Sequence, residues 1–243
     1  MGGKSSTIKK EKFTYGDGKY KGFIAYDTTK EGKKPGILII HEASGIGEYT
    51  ESRAVQLAEL GYVGFAIDMV GGGKRFCGIH EADSSLEKFD EVLTKFNAAH
   101  DYLKQHPQVD PNNIAAIGYC YGGIVVLNVI KKGSDMKGVA SFHGGLKPYL
   151  KAEKGIYKGK VLVCHGEADT TIKPEEVEEF KKEFNEAEIN YKFIGYPGAK
   201  HAFTNPKATF IGKRFGLPFA YDEKADKESW AELQTFLKDI FSS

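Results

Sequence analysis

The stretch Ile114-Ala115-Ala116-Ile117-Gly118-Tyr119-Cys120-Tyr121-Gly122-Gly123-Ile124-Val125-Val126 constrains this chain more than any other. An apolar run of strand type ends in Gly-x-Cys-x-Gly-Gly, and a second apolar run with helical character follows at once, which puts the cysteine at a tight strand-to-helix turn. A side chain held at the tip of such a turn forces neighbouring backbones together, and only hydrogen fits at Gly118 and Gly122 without strain. A thiol there also faces the N–H groups and the positive dipole end of the following helix, which favour the thiolate. The form is that of a nucleophile elbow with sulfur in place of oxygen, so Cys120 is the candidate nucleophile. A free cysteine is also a common small core residue, and its partners must decide between the two readings.

The rest of the chain reads as an alternation of strands and helices. Aromatic and polar residues alternate over 12–26 around Gly16-Asp17-Gly18, the pattern of an edge β-hairpin. Continuous apolar runs at 36–40, 62–68, 138–142 and 160–164 predict strands buried on both faces. A further strand is predicted at 191–196. Helical spacing places a helix from near Tyr49, with Ala54, Leu57 and Ala58 inward, and another carrying Leu86, Phe89, Leu93, Phe96 and Leu103 up to Pro107. Two more helices are expected over 174–187 and 224–240, and loops over 69–83 and 210–221. Strand, helix, strand in succession implies right-handed βαβ units and a mostly parallel sheet with helices on both faces. No linker or repeat interrupts residues 1–243, which predicts a single domain with residues 1–10 mobile.

Composition excludes several function classes. With 34 basic and 33 acidic residues the net charge is +1, and the lysines are dispersed among acidic residues, so no nucleic-acid partner is expected. Cys77, Cys120 and Cys164 are odd in number and irregularly spaced, which suggests neither a disulfide framework nor a zinc site and fits a reducing, cytoplasmic location. No apolar stretch approaches a membrane span. Gly2 and Ser6 match the loose myristoylation pattern, one short enough to arise by chance. His41, His80, His143 and His165 lack convergent ligand spacing, so no metal and no cofactor are expected.

Open α/β sheets carry their sites at the carboxyl ends of strands. There stand His165-Gly166-Glu167-Ala168-Asp169 and Pro197-Gly198-Ala199-Lys200-His201-Ala202-Phe203. Cys120, Asp169 and His201 thus follow in the nucleophile–acid–histidine order of α/β-hydrolases. An imidazole takes the thiol proton and later protonates the leaving group, while a buried carboxylate fixes its tautomer. Backbone N–H groups of Tyr121 and of Ala43, in the loop after 36–40, are the expected oxyanion donors. Glu42 in that loop would hold the thiol neutral at rest or guide its proton; its alternative is a solvated loop glutamate.

These residues resemble the dienelactone hydrolase family across nearly the whole chain: Ile39-Ile40-His41-Glu42, Ala66-Ile67-Asp68, Ile117-Gly118-Tyr119-Cys120-Tyr121-Gly122-Gly123, Phe142-His143-Gly144, His165-Gly166-Glu167-Ala168-Asp169 and His201-Ala202-Phe203-Thr204-Asn205-Pro206. The resemblance implies an α/β-hydrolase fold and cleavage of an enol-lactone or related ester without metal or cofactor. By position it makes Cys120 the nucleophile, His201 the base, Asp169 its partner and Glu42 the residue that interacts with the cysteine before substrate arrives. Founding members hold the substrate carboxylate with arginines, one shortly after the catalytic histidine, where this chain has Thr204, Asn205 and Pro206. Lys74, Arg75 or Arg214 are candidate replacements, and Phe203, Tyr121, Tyr149 and Phe219 candidate pocket walls. The expected partner is a small ester or lactone, with the chain a monomer or homodimer and no membrane partner. Two alternatives stand beside this one: a general small-ester hydrolase that does not act on dienelactone, and a non-catalytic thiol module for binding or redox sensing.

Overall fold

A computed structural model describes residues 8–76 and 79–242. Gly2, Ser6 and Cys77 lie outside the described residues. The strands form an eight-stranded mixed sheet, and the chain divides into two compact units, one ending at Ala116 and one beginning at Ile117.

The first unit opens with β1 (Ile8–Tyr15) and β2 (Tyr20–Asp27), antiparallel with Tyr15 opposite Tyr20. The turn between them needs left-handed backbone at Gly16, Asp17 and Gly18 (φ 59°, 54° and 80°), which is why glycine flanks the aspartate. Residues 8–10, expected to be mobile, are instead paired strand, with Ile8 opposite Asp27 and Lys10 opposite Ala25. The alternating aromatics cover the neighbouring strand: Phe13 stacks on Phe65 at 5.4 Å and on Tyr102 at 4.8 Å.

Strands β3 (Lys34–Ile40) and β4 (Val63–Ile67) run parallel, with β2 antiparallel to β4, in the order β1-β2-β4-β3. Ile37 to Ile40 are wholly buried, as a continuous apolar run demands. Between these strands α1 (Glu48–Glu59) turns Ala54, Leu57 and Ala58 inward. It sits so close that a Cβ on Gly64 would lie 2.6 Å from the Ala54 carbonyl.

One helical stretch divides. The expected 69–83 loop ends early, because α2 (Ile79–Glu87) takes up Leu86, and α3 (Phe89–Gln105) begins after Lys88 leaves helical geometry at φ −99°, ψ 57°. The loop after β4 is built on Asp68, wholly buried, whose carboxylate accepts N–H bonds from Lys21, Val70, Gly71 and Gly73 at 2.7–3.2 Å.

Strand β5 (Val109–Tyr119) crosses the unit boundary and ends at the cysteine. In the second unit follow α4 (Tyr121–Val129), β6 (Gly138–Phe142), β7 (Lys160–Gly166), α5 (Pro174–Glu186) and β8 (Asn190–Tyr196). Strands β6, β7 and β8 are parallel and adjacent in that order. An ion pair holds the loop between β6 and β7: buried Lys131 Nζ lies 2.8 Å from the half-buried Glu183 and donates to the Leu150 carbonyl, while Asn128 Oδ1 accepts the Tyr149 and Leu150 N–H groups.

Part of the expected 210–221 loop is helix, α6 (Ala208–Phe215). Gly212 and Gly216 read as loop signals but have structural roles: a Cβ on Gly212 would meet the Phe219 carbonyl at 2.4 Å, and Gly216 caps the helix at φ 65°. The last helix, α7 (Glu223–Phe241), is N-capped by Asp222 through the Ala225 N–H and buries Leu233, Leu237 and Ile240. No helix among the described residues is long and apolar enough to cross a membrane.

Candidate active site

In the second unit the sequence delivers three side chains from three loops to one point. Cys120 stands between β5 and α4 with φ 53° and ψ −111°, a conformation rare for a residue with a side chain. The elbow closes because Gly118 has no Cβ: one built there would lie 2.0 Å from the Gly122 carbonyl oxygen. Gly123 and Gly144 press together in the same way, a Cβ on Gly123 falling 2.7 Å from Gly144 Cα. The Cys120 N–H donates to the Phe142 carbonyl at 3.0 Å, which ties the turn to the end of β6.

Asp169 lies just beyond β7 and His201 just beyond β8, both buried. The Cys120 Sγ is 3.1 Å from His201 Nε2, and His201 Nδ1 is 2.8 Å from Asp169 Oδ2. Asp169 Oδ1 accepts the N–H and the hydroxyl of Thr171 at 2.9 and 2.6 Å, and the Thr171 hydroxyl oxygen is also 3.1 Å from His201 Nδ1. Tyr121 is the first residue of α4, so its N–H belongs to the positive end of that helix, next to Cys120 in the chain. Three of the five non-glycine residues with positive φ among the described residues belong here: Cys120, His143 at 41° and Ala202 at 60°. Backbone strain gathers where loops must aim side chains at one another.

The electrostatics follow from this geometry. Burial works against a charged His201 ring, but attraction to Cys120 and Asp169 outweighs it and lifts the imidazole to about 10. Burial likewise opposes ionised Asp169, yet the His201 and Thr171 contacts hold its carboxyl below the usual range. Cys164 is the contrasting thiol: fully buried under the Tyr196 hydroxyl at 3.7 Å, it is pushed up to about 12 by burial. Only Cys120 of these two reaches solvent.

Other rings frame the histidine. Phe219 lies 4.8 Å from the His201 ring, and His143 meets it edge-on at 5.5 Å while its Nε2 is 2.7 Å from the Thr204 hydroxyl. Phe203 is wholly buried against His143 and Tyr196, so it supports the site from within the core. Tyr149 sits in the loop after β6, its ring under Lys147. Thr204 and Asn205, the polar residues that follow His201, are buried and uncharged. Thr171 and His143 are the residues to which the sequence reading gave no role. The spacing Asp-x-Thr, which lets an acid bind a hydroxyl two residues on, was the available signal for Thr171.

Glu42, Ala43, Lys74 and Arg75 belong to the first unit. Its His41, wholly buried, donates from Nδ1 to the Glu42 carbonyl and accepts the Met69 N–H at Nε2 (3.1 Å), and burial keeps the ring neutral. The Glu42 carbonyl also accepts the Gly45 N–H at 3.1 Å, and the Ala43 carbonyl accepts the Phe76 N–H at 3.3 Å. Lys74 and Arg75 are exposed, and a Cβ on Gly45 would touch the Lys74 carbonyl at 2.6 Å. Among the described residues no group of three or more His, Cys, Asp or Glu could hold a metal ion.

The model of the dienelactone hydrolase family matches residues 21–241. The uncharacterized Caenorhabditis elegans protein K02A2.1 is 31% identical over 63% of this chain and 96% of its own length. A Synechocystis protein named as a carboxymethylenebutenolidase is 24% identical over 88% of this chain and 89% of its own. Among solved structures, m3DLH superposes with a TM-score of 0.89 at 29% identity, covering 96% of this chain and 98% of that one. The dienelactone hydrolase-like promiscuous phosphotriesterase P91, from metagenomic libraries, gives a TM-score of 0.88 at 29% identity over 97% and 99%. With the family's model spanning all but the two ends of the chain, this protein belongs to the dienelactone hydrolase family.

Proposed function

We propose that this chain hydrolyses a lactone or small carboxylic ester through a thioester on Cys120, with His201 as acid and base and Asp169 as its partner. The observation that carries the reading is the continuous line Sγ to Nε2 (3.1 Å) and Nδ1 to Oδ2 (2.8 Å). The thiolate attacks the carbonyl carbon, and the Tyr121 N–H at the helix N-terminus stabilises the oxyanion. His201 passes its Nε2 proton to the leaving alkoxide as the C–O bond breaks, leaving an acyl-cysteine. His201 then takes a proton from water, the hydroxide attacks the thioester, and the sulfur leaves as thiolate with the acid as product. The raised imidazole keeps His201 protonated, with a proton at Nε2 for the leaving group.

The names of relatives such as the carboxymethylenebutenolidases support a lactone substrate. A second reading, a hydrolase of neutral esters, is favoured by the segment after His201, where buried Thr204 and Asn205 stand in place of a carboxylate-binding arginine. Native protein and Cys120→Ala, given an acidic enol-lactone and a panel of p-nitrophenyl esters with intact-mass detection of adducts, test both. Turnover and an acyl adduct only with Cys120 present are expected; full activity in Cys120→Ala would sink the mechanism. A preference for neutral esters would select the second reading. Turnover of Glu42→Gln on the same panel checks the role that the family pattern implies for Glu42. A cytoplasmic location accords with a catalytic thiol that must stay reduced.

A further inference from the structure

We propose that Thr171 is a positioning residue for His201, its hydroxyl forming with Asp169 a two-oxygen cradle for the imidazole Nδ1–H. The inference rests on the cysteine-hydrolase reading above and adds to it a residue outside the nucleophile, acid and histidine.

The hydroxyl has one proton, and the shortest contact says where it goes. At 2.6 Å it donates to Asp169 Oδ1, which also accepts the Thr171 backbone N–H at 2.9 Å. Its lone pairs remain for acceptance, and His201 Nδ1 stands 3.1 Å away, with Asp169 Oδ2 at 2.8 Å. The Nδ1–H therefore lies between two acceptors: the carboxylate takes most of it, and the hydroxyl limits rotation of the ring about that bond. This matters during turnover, because Nε2 passes its proton on and takes another while Nδ1 must keep its own.

The other groups around the ring leave this place to Thr171. Cys120 meets Nε2 from the elbow, and His143 meets the ring edge-on from the end of β6. From the end of β7 come Asp169, and His165, whose charge interacts with that of His201. Phe219 covers a face without a polar atom. Thr171 itself is exposed, so its packing gives the core little.

The test pairs Thr171→Val, which keeps the branched shape without the hydroxyl, with Thr171→Ser, which keeps the hydroxyl. Two readouts are taken: kcat/KM against pH, and the NMR titration of the His201 ring in labelled protein. Thr171→Val should lose about ten- to a hundredfold in kcat/KM, the size of one hydrogen bond to a charged group. Its alkaline limb and its His201 titration should both move to lower pH, while Thr171→Ser should stay near native on both. Native values in Thr171→Val would overturn the proposal, as would equal losses in both variants with a lowered thermal midpoint, which is the signature of a merely structural threonine. Native protein without turnover or Cys120 adduct would remove the hydrolase reading instead. The His201 titration needs no substrate and would still decide the cradle.

Discussion

The backbone at Cys120 makes a stability prediction that can be separated from the chemistry. Its φ of 53° and ψ of −111° suit glycine and strain any residue with a Cβ. Such strain costs about 1–3 kcal/mol at a single residue. Cys120→Ala and Cys120→Gly both remove the sulfur and its 3.1 Å contact with His201, so the difference between them isolates the Cβ. At an unstrained position alanine would be the more stable by about 0.4–1 kcal/mol, because glycine loses more freedom on folding. Here the strain outweighs that entropy, and the glycine variant should be the more stable by about 1.5 kcal/mol. For a chain of this size that is a difference of about 3–6 °C in thermal midpoint. Calorimetric or circular-dichroism melts of the two proteins, both expected to be inactive, provide the measurement. An alanine variant that melts with or above the glycine variant would refute the claim that the elbow stores strain at Cys120.

Other consequences follow from the same contacts. Asp169→Asn removes the charge beside Nδ1 and admits the wrong tautomer, so kcat should fall about a hundredfold or more with the fold intact, as ester turnover and a melt would report. His201 is lifted from 6.5 to about 10, so its interactions stabilise the native state fully below pH 6.5 and that contribution is lost as pH rises through about 10; kcat/KM should hold across this window and decline above it, and a decline near neutrality would count against the ion pair. Gly118→Ala drives a Cβ to 2.0 Å from a backbone oxygen, and the shift it forces should cost about 1–3 kcal/mol of stability and on the order of a hundredfold in turnover. Lys131→Met strips the partner from part-exposed Glu183, a loss between that of a surface pair and that of a fully buried one, about 2 kcal/mol, so the thermal midpoint should fall by about 4–8 °C while kcat stays near native.

Most of the fold was legible because its strands are written in the simplest pattern available, short apolar runs buried on both faces. Ile37 to Ile40 and Val161 to Cys164 show no polar alternation, and each is buried in the sheet as that pattern requires. Where the structure departs from the expected pattern, the cause is a tertiary contact that the local sequence does not encode. Gly212 sits inside α6 because the Phe219 carbonyl passes where a side chain would be, and nothing local in 208–215 announces that neighbour. The break at Lys88 is similar: Leu86 and Phe89 suit one continuous apolar stripe, yet they belong to two helices. At the other end, Ile8 to Lys10 gain their order from pairing with residues of β2, a contact that composition does not encode.

The candidate site was legible for a different reason, which also sets the limit of the reading. Cys120, Asp169 and His201 each follow the end of a strand, and a parallel sheet brings strand ends together whatever lies between them in sequence. Position along the chain thus becomes position in space, and chemistry alone selects the residues. Thr171 obeys no such rule. It reaches Asp169 Oδ1 because the turn after Asp169 folds back over two residues, and it reaches His201 only because Asp169 is already there. Residues aimed by the sheet can be read from the sequence one at a time, whereas a residue aimed by another side chain becomes visible only after the first has been placed. Phe203 shows the converse: it follows His201 closely enough to suggest a pocket wall, but it is wholly buried against His143 and Tyr196.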